Sequence, residues 1–383
     1  MSGFDCLVVG RGIVGLAHAL AAAQAGLRVA VIDRETRSIG ASVRNFGFIT
    51  VTGQQAGITW RRARRAREVW GEVAAAAGIA VHHRGLLLVA RRPEALTVIE
   101  QFAASPMGAS CRVLRGRALA AMRPPLRTGH AGALFSPHEL RVESRDAIPR
   151  LAAWLVEAHG VTFLPRAAVL AVEAGRAQTT GGEIRAEHVV VCPGPDLVTL
   201  FPEEHARRAL TLSKLQMVRL AAPRWRLPAA VMSDLGLLRY AGYADCAGLP
   251  ALRRRVEAEQ AQALADGIHL IVVQGADGSL VVGDSHHNDP SPDPFQSAEV
   301  DRRILAELSA VLDLPAPEVL ERWTGVYPTG AETAFMAAPA AGVRLVNVTS
   351  GTGASTAFAI AEETMADLLG VPPPAQVHEE GVA

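Results

Sequence analysis

Glycines at 10, 12 and 15 constrain this chain more than any other feature, because they stand between two short apolar runs. Cys6 to Val9 reads as a buried parallel strand. Ile13 to Ala25 is apolar all round and reads as a buried helix that Gly26 ends. Leu27 to Ile32 reads as a second strand, closed by Asp33. The order strand, G-x-G-x-x-G, helix, strand, acid is a dinucleotide-binding βαβ unit. Gly10 permits the tight turn, Gly12 lets a pyrophosphate approach the backbone, and Gly15 lets helix and strand pack closely. Ile13 and Val14 open the helix whose free N–H groups and dipole favour a phosphate. Asp33, with Arg34 beside it, is placed to accept hydrogen bonds from an adenosine ribose. The motif alone leaves FAD and NAD both open.

Composition narrows the partners. With 383 residues the chain is long enough for two cores. The 38 basic residues balance 38 acidic ones, so no nucleic-acid partner is expected. No apolar run reaches about 18 residues, so no membrane span is expected. The N-terminus lacks the basic segment of a secretory signal, and its glycine fingerprint explains its apolarity. Cys6, Cys111, Cys192 and Cys246 are scattered, and Cys6 and Cys192 read as inert core thiols. A reducing cytoplasm fits this usage. Lys214 is the single lysine among the 38 Lys and Arg residues, leaving 37 arginines. It is either a site that needs a compact ammonium or a chance survivor.

Further along, small and polar residues from Glu35 to Thr50 surround Arg44, Asn45 and Gly47, where the chain must cross the far half of a bound cofactor. Trp60 to Trp70 is a basic amphipathic helix. It reads as a solvated arginine face with tryptophans in the core, the alternative being a membrane-surface or nucleic-acid face. Gly85 to Ala90 and Gly132 to Ser136 read as strands, and Glu143 to His159 as a helix. Val169 to Glu173 and Glu187 to Val191 read as strands of the first domain, the latter running into Cys192-Pro193-Gly194. Such a strand-to-glycine turn is where an open α/β sheet receives its ligand.

Leu212 to Leu220 alternates like a strand. With Arg239-Tyr240, His269 to Gln274 and Leu280 to Gly283 it suggests a second, mostly antiparallel sheet. His286 and His287 point to opposite faces if that strand continues, and no further ligand cluster is visible around them, so no metal is expected. Val343 to Val348 is an apolar strand, Thr349 to Gly353 a turn of small residues, and Ala354 to Leu369 a helix. This second helix N-terminus suits an anionic or electron-rich group. No second G-x-G-x-x-G exists, so no separate nicotinamide site is supported.

The fingerprint, the Arg44–Gly47 loop, the Cys-Pro-Gly turn and the terminal Ser-Gly-Thr-Gly helix together resemble FAD-dependent amine oxidoreductases of the D-amino-acid oxidase, glycine oxidase and sarcosine oxidase group. The runs SVRNFGFI, ELRVESRDAIPRLAAWL, KLQMVRL, LLRY, VVGDSHH and RWTGVYPTG resemble the branch associated with aminophosphonate breakdown. The resemblance implies an α/β fold: a Rossmann-like, glutathione-reductase-type FAD-binding domain with an inserted, mainly antiparallel α+β substrate domain. It places 1–84, 141–213 and 325–383 in the first, and 85–140 and 214–324 in the second. It implies non-covalent FAD, since no cysteine follows Cys246 to attach one. Val169 would contact adenine, and Ser42, Arg44, Asn45, Phe46 and Gly47 would embrace the flavin. Ser350, Gly351, Thr352, Gly353 and Ser355 would close on it from the other side, with Cys192 and Gly194 at the turn.

Glycine oxidases hold the substrate carboxylate with an arginine in a G-x-R-P segment. The matching segment here reads Gly325-Val326-Tyr327-Pro328. Tyr327 cannot form a bidentate charged clamp, which favours a differently placed anion such as a phosphonate. The implied reaction is hydride transfer from an amine's α-carbon, giving an imine that hydrolyses to an aldehyde, with oxygen or another carrier as final acceptor. It demands no catalytic acid or base, and the sequence names none. Lys214, Arg239, Tyr240, His269, His286 and Tyr327 are the candidates for the substrate face. Two further readings stay open: an oxidase of glycine, sarcosine or another small amino acid, and a flavin-binding protein without turnover.

Overall fold

A computed structural model describes residues 3–372. Its first layer is a parallel sheet. Strand β1 (Phe4–Val9) lies between β2 (Val29–Asp33) and β4 (Gly182–Val191). Outside β2 runs β3 (Thr162–Pro165), and outside β4 runs β8 (Val343–Ser350), all parallel. Apolar residues of β1, β2 and β4 are buried on both faces, as the unbroken Val/Ile/Leu runs require. Helix α1 (Ile13–Gln24) packs on one face, with helix α2 (Gly353–Leu369) beside it.

The second layer is built mostly from antiparallel strands. Strand β5 (Thr211–Leu220) pairs with β6 (Leu280–Gly283) on one side and with β7 (Val319–Ala340) on the other. Ile271–Gln274 follows β6 and then Ala230–Ser233, which joins Val81–Ala90 in parallel. Gly132–Val142 runs antiparallel to Val81–Ala90. The architecture is therefore mixed α/β with a large β component. The 22-residue strand β7 belongs to both layers, pairing with β5 up to Thr329 and with β8 beyond it.

Three local expectations need correction. Arg239 and Tyr240 are not in the second sheet: Arg239 ends the short helix Leu235–Arg239 and Tyr240 caps it. His269 precedes the strand Ile271–Gln274 rather than opening it. The arginines of the Ile58–Ala76 helix do not simply face water. Arg62 Nη2 pairs with Glu363 at 2.6 Å and Arg65 Nη2 with Glu362 at 2.7 Å, both on α2. Trp70 is buried beneath them and its indole N–H donates to the Ala354 carbonyl at 2.7 Å. Among the described residues no helix is long and apolar enough to cross a membrane. The four cysteines are free thiols, Cys6, Cys111 and Cys192 being buried.

Candidate active site

The turn from β1 into α1 is built around its glycines. Gly10 has φ +108°, and a Cβ there would lie 2.4 Å from the Cys192 carbonyl oxygen. A Cβ on Gly15 would lie 1.9 Å from the Gly10 carbonyl oxygen, so strand and helix meet only because that atom is missing. At Gly12 a Cβ would face Ser42 Oγ at 3.0 Å, and the Ile13 amide donates to the same oxygen at 2.9 Å. Asp33, at the end of β2, accepts from the Arg11 amide at 2.7 Å and the Glu35 amide at 2.8 Å. Arg34 pairs with Asp196 at 2.5 Å.

One cavity of about 1020 Å³ runs from Asp33 past this turn to Tyr327. Gly10, Gly12, Ile13, Val14, Gly15, Arg34, Ser42, Arg44, Asn45 and Phe46 line it. So do Val169, Cys192 and Gly194, and from the C-terminal turn Ser350, Gly351, Thr352, Gly353 and Ser355. The cavity thus receives two helix N-termini, those of α1 and α2, and in neither does the N-cap residue close the end with its own side chain. Ser355 is fixed by the Thr50 amide, which donates to its Oγ at 2.8 Å. Burial pushes the Cys192 thiol up, so it stays protonated. An extended cofactor fits this shape. The glycine cradle admits its phosphates, Asp33 retains lone pairs for a ribose, and the far end is wide and polar.

Gly47 does not line the cavity. It has φ +65°, and a Cβ there would sit 1.8 Å from the Val142 carbonyl oxygen. Its glycine serves a close backbone approach and leaves Asn45 Oδ1 to accept its amide at 2.7 Å.

At the wide end the structure gathers Arg239, Tyr240, His269, His286 and Tyr327 around one space. Lys214 is not among them. Its ammonium donates to Asp293 at 2.7 Å and to the Phe295 carbonyl at 3.1 Å, on the other face of β5. The alternation of β5 explains this: Leu215 and Met217 line the cavity, whereas Lys214 and Gln216 turn away. His287 likewise turns away, towards Asp266 at 3.4 Å.

Arg239 Nη2 donates to the Tyr327 hydroxyl at 3.2 Å. The Tyr240 ring meets the His269 ring edge-on, His269 lies 5.0 Å from His286 between centroids, and His286 reaches Tyr327. Asp284, which the sequence reading passed over, completes the group. Its Oδ1 lies 3.3 Å from His269 Nδ1 and its Oδ2 3.7 Å from His286 Nε2. The expectation of no cluster around His286 is therefore corrected: His269, Asp284 and His286 bring one polar atom each to within 4.8 Å of one another. The i, i+2 spacing of Asp284 and His286 was the available signal; the arrival of His269 was not visible.

Burial dominates the electrostatics here. It drives Asp284 up to about 7, against the pull of Arg239. It drives His286 down to about 3 and His269 well below the usual imidazole range, with charge repulsion acting in the same direction. The phenols of Tyr240 and Tyr327 are pushed up and stay protonated.

The family described as DAO, FAD dependent oxidoreductase, matches residues 5–368. No curated protein matches the sequence significantly. Among solved structures, a glycine oxidase from Geobacillus kaustophilus superposes with a TM-score of 0.77 at 18% identity, over 100% of both chains. An iminodiacetate oxidase from Chelativorans sp. BNC1 gives 0.73 at 17%, covering 97% of this chain and 96% of its own. An L-alpha-glycerophosphate oxidase from Mycoplasma pneumoniae, with FAD bound, gives 0.75 at 14%, covering 99% and 97%. At these identities the likeness is one of fold.

Proposed function

This chain belongs to the DAO family of FAD-dependent oxidoreductases, and from that premise we propose that it oxidises a small aminophosphonate at the carbon bearing nitrogen. The substrate class is 2-aminoethylphosphonate or an N-methyl or hydroxy derivative, and the product an aldehyde of the phosphonoacetaldehyde type plus the released amine. The observation that carries this reading is the donor set at the wide end of the cavity. Arg239 and the Tyr327 hydroxyl converge there from separate elements, with the His269 and His286 rings beside them. A planar carboxylate is best held by one in-plane guanidinium fork, whereas a tetrahedral oxyanion takes donors from several directions.

The residues divide the work by position. The glycine turn and the two helix N-termini would hold FAD, with Val169 and Asp33 at its adenosine end and Ser42, Asn45, Phe46 and Ser355 around its flavin end. FAD, when bound, accepts the hydride. Arg239 and Tyr327 would hold the substrate anion, and Tyr240 would wall the space beside it. The discontinuous two-domain division fits β7, which passes from one layer to the other. The final acceptor is oxygen or another electron carrier.

Arg239 also favours a second reading, oxidation of glycine, sarcosine or another small amino acid, because its guanidinium has donors beyond the one given to Tyr327 and can clamp a carboxylate. An anaerobic flavin-bleaching titration separates the two. Purified FAD-loaded protein is mixed separately with glycine, sarcosine, 2-aminoethylphosphonate and its N-methyl form. Bleaching by a phosphonate is expected. Bleaching by glycine or sarcosine alone overturns the phosphonate reading.

A further inference from the structure

We propose that Asp284, held between His269 and His286, takes the proton from the substrate's ammonium group before the amine is oxidised. The proposal rests on the amine-oxidation part of the function above and not on the phosphonate. A small aliphatic amine enters as a cation, its ordinary titration lying near that of a lysine, at about 10. Its carbon releases a hydride only when the nitrogen lone pair is free to take up the developing positive charge. The proton goes either to solvent before binding or to a group facing the substrate, and in the second case the step is R–NH₃⁺ + COO⁻ → R–NH₂ + COOH.

His269 and His286 carry lone pairs, but burial and the Arg239 charge make both poor proton acceptors, which leaves Asp284 as the base. Arg239, from the helix Leu235–Arg239, has no lone pair to offer. Tyr240 and Tyr327 are already protonated. The other carboxylates on the cavity wall, Asp33, Glu35 and Asp196, lie at the opposite end with the glycine turn. Asp284 stands beside Arg239 and both imidazoles and is 4% exposed. His287, behind His286, faces Asp266 instead.

Hydrogen bonding around Asp284 is incomplete in a specific way. His286 Nδ1 lies 3.0 Å from the Gly267 carbonyl, which can only accept, so Nδ1 carries the hydrogen and Nε2 presents a lone pair. That lone pair faces Asp284 Oδ2 at 3.7 Å. Asp284 Oδ1 and His269 Nδ1 are both buried without a hydrogen-bond partner. Acceptors facing one another in a buried site lack a proton between them. His286 Nε2 holds its lone pair close to Oδ2, and a closer approach of the two would let it accept a hydrogen bond from the protonated carboxyl. The carboxylate's titration near 7 suits a base working at neutral pH. The same atoms are close enough to share a cation, and the Arg239 guanidinium weighs against a divalent ion there while leaving a single proton acceptable.

The test is the pH dependence of anaerobic flavin reduction at saturating amine, using whichever amine bleaches the flavin. Wild-type enzyme should show a limiting rate that rises with pH through an ionisation near neutrality. Asp284→Asn, confirmed by absorbance to carry FAD, should lose about 10²–10⁴-fold at pH 7, the usual range for a general base. The loss should narrow towards pH 10, where the amine arrives already neutral. Asp284→Glu should keep the ionisation. A wild-type rate flat from pH 6 to 9 overturns the proposal without any variant. A loss in Asp284→Asn that is equal at every pH also overturns it, since that marks a packing role. If glycine is the amine that bleaches the flavin, the phosphonate reading fails and this series still decides the role of Asp284.

Discussion

The Arg239 guanidinium and the Tyr327 hydroxyl meet at 3.2 Å on the substrate side of the cavity, joining the end of a five-residue helix to the long strand β7. In the proposed function, cation and phenol act as one anion-binding unit. Arg239→Met should weaken substrate binding about 100-fold, matching the ~1.5–3 kcal/mol of hydrogen bonds to a charged group. Tyr327→Phe should cost about fivefold. FAD content should stay at the wild-type level in both. Substrate titration of flavin absorbance measures each, and the double variant should show coupling because the two groups touch.

Lys214→Met should leave substrate binding, flavin reduction and flavin reoxidation unchanged. Its ammonium is committed to Asp293 and Phe295 on the far face of β5. Separate measurement of the reductive and oxidative half-reactions checks this. A change in either would show that the charge of Lys214 acts through the sheet.

Gly15→Ala should abolish FAD loading. The added methyl would stand 1.9 Å from the Gly10 carbonyl oxygen, which is backbone and cannot rotate away. Overpacking costs about 1–3 kcal/mol, and a clash with backbone falls at the upper end. The absorbance ratio of flavin to protein and the thermal midpoint read both effects.

His18 gives the stability profile an acid limb. It is fully buried on α1, and burial holds it down to about 4 against an ordinary 6.5. Its Nδ1 donates to the Val14 carbonyl at 2.7 Å. The unfolded chain takes a proton on this ring below pH 6.5 and the folded chain refuses it, so stability falls as pH drops from 6.5 to 4. The effect is about 3 kcal/mol at the low end. His18→Gln should flatten that limb in thermal melts run between pH 7.5 and 4.5.

The two halves of the site differ in how much of them the sequence exposes. The adenosine end was legible because its requirements are local. Gly10, Gly12, Gly15 and Asp33 lie within one βαβ unit, and each spacing has a steric reason that holds wherever the unit occurs. Gly47 looked like part of the same pattern, but its missing Cβ answers to Val142, a partner nearly a hundred residues away. The substrate end is assembled by topology. Alternation in β5 established that Lys214 and Leu215 face opposite ways, and nothing local says which face meets the cavity. His269, Asp284 and His286 converge because a loop, the end of β6 and the chain after it meet in space. The arginines of the Ile58–Ala76 helix were read as solvated because Glu362 and Glu363, their partners, are some three hundred residues away.

Trp70 holds the Ala354 carbonyl, Thr50 holds Ser355, and Arg62 and Arg65 hold the outer turns of α2. Every one of these bonds is between protein groups. The N-terminus of α2, which opens into the cavity, is therefore fastened from the Ile58–Ala76 helix and from the segment at Thr50. A strain placed on either of those two segments would be passed to the mouth of the cavity through these contacts, although neither lies near α2 in the sequence.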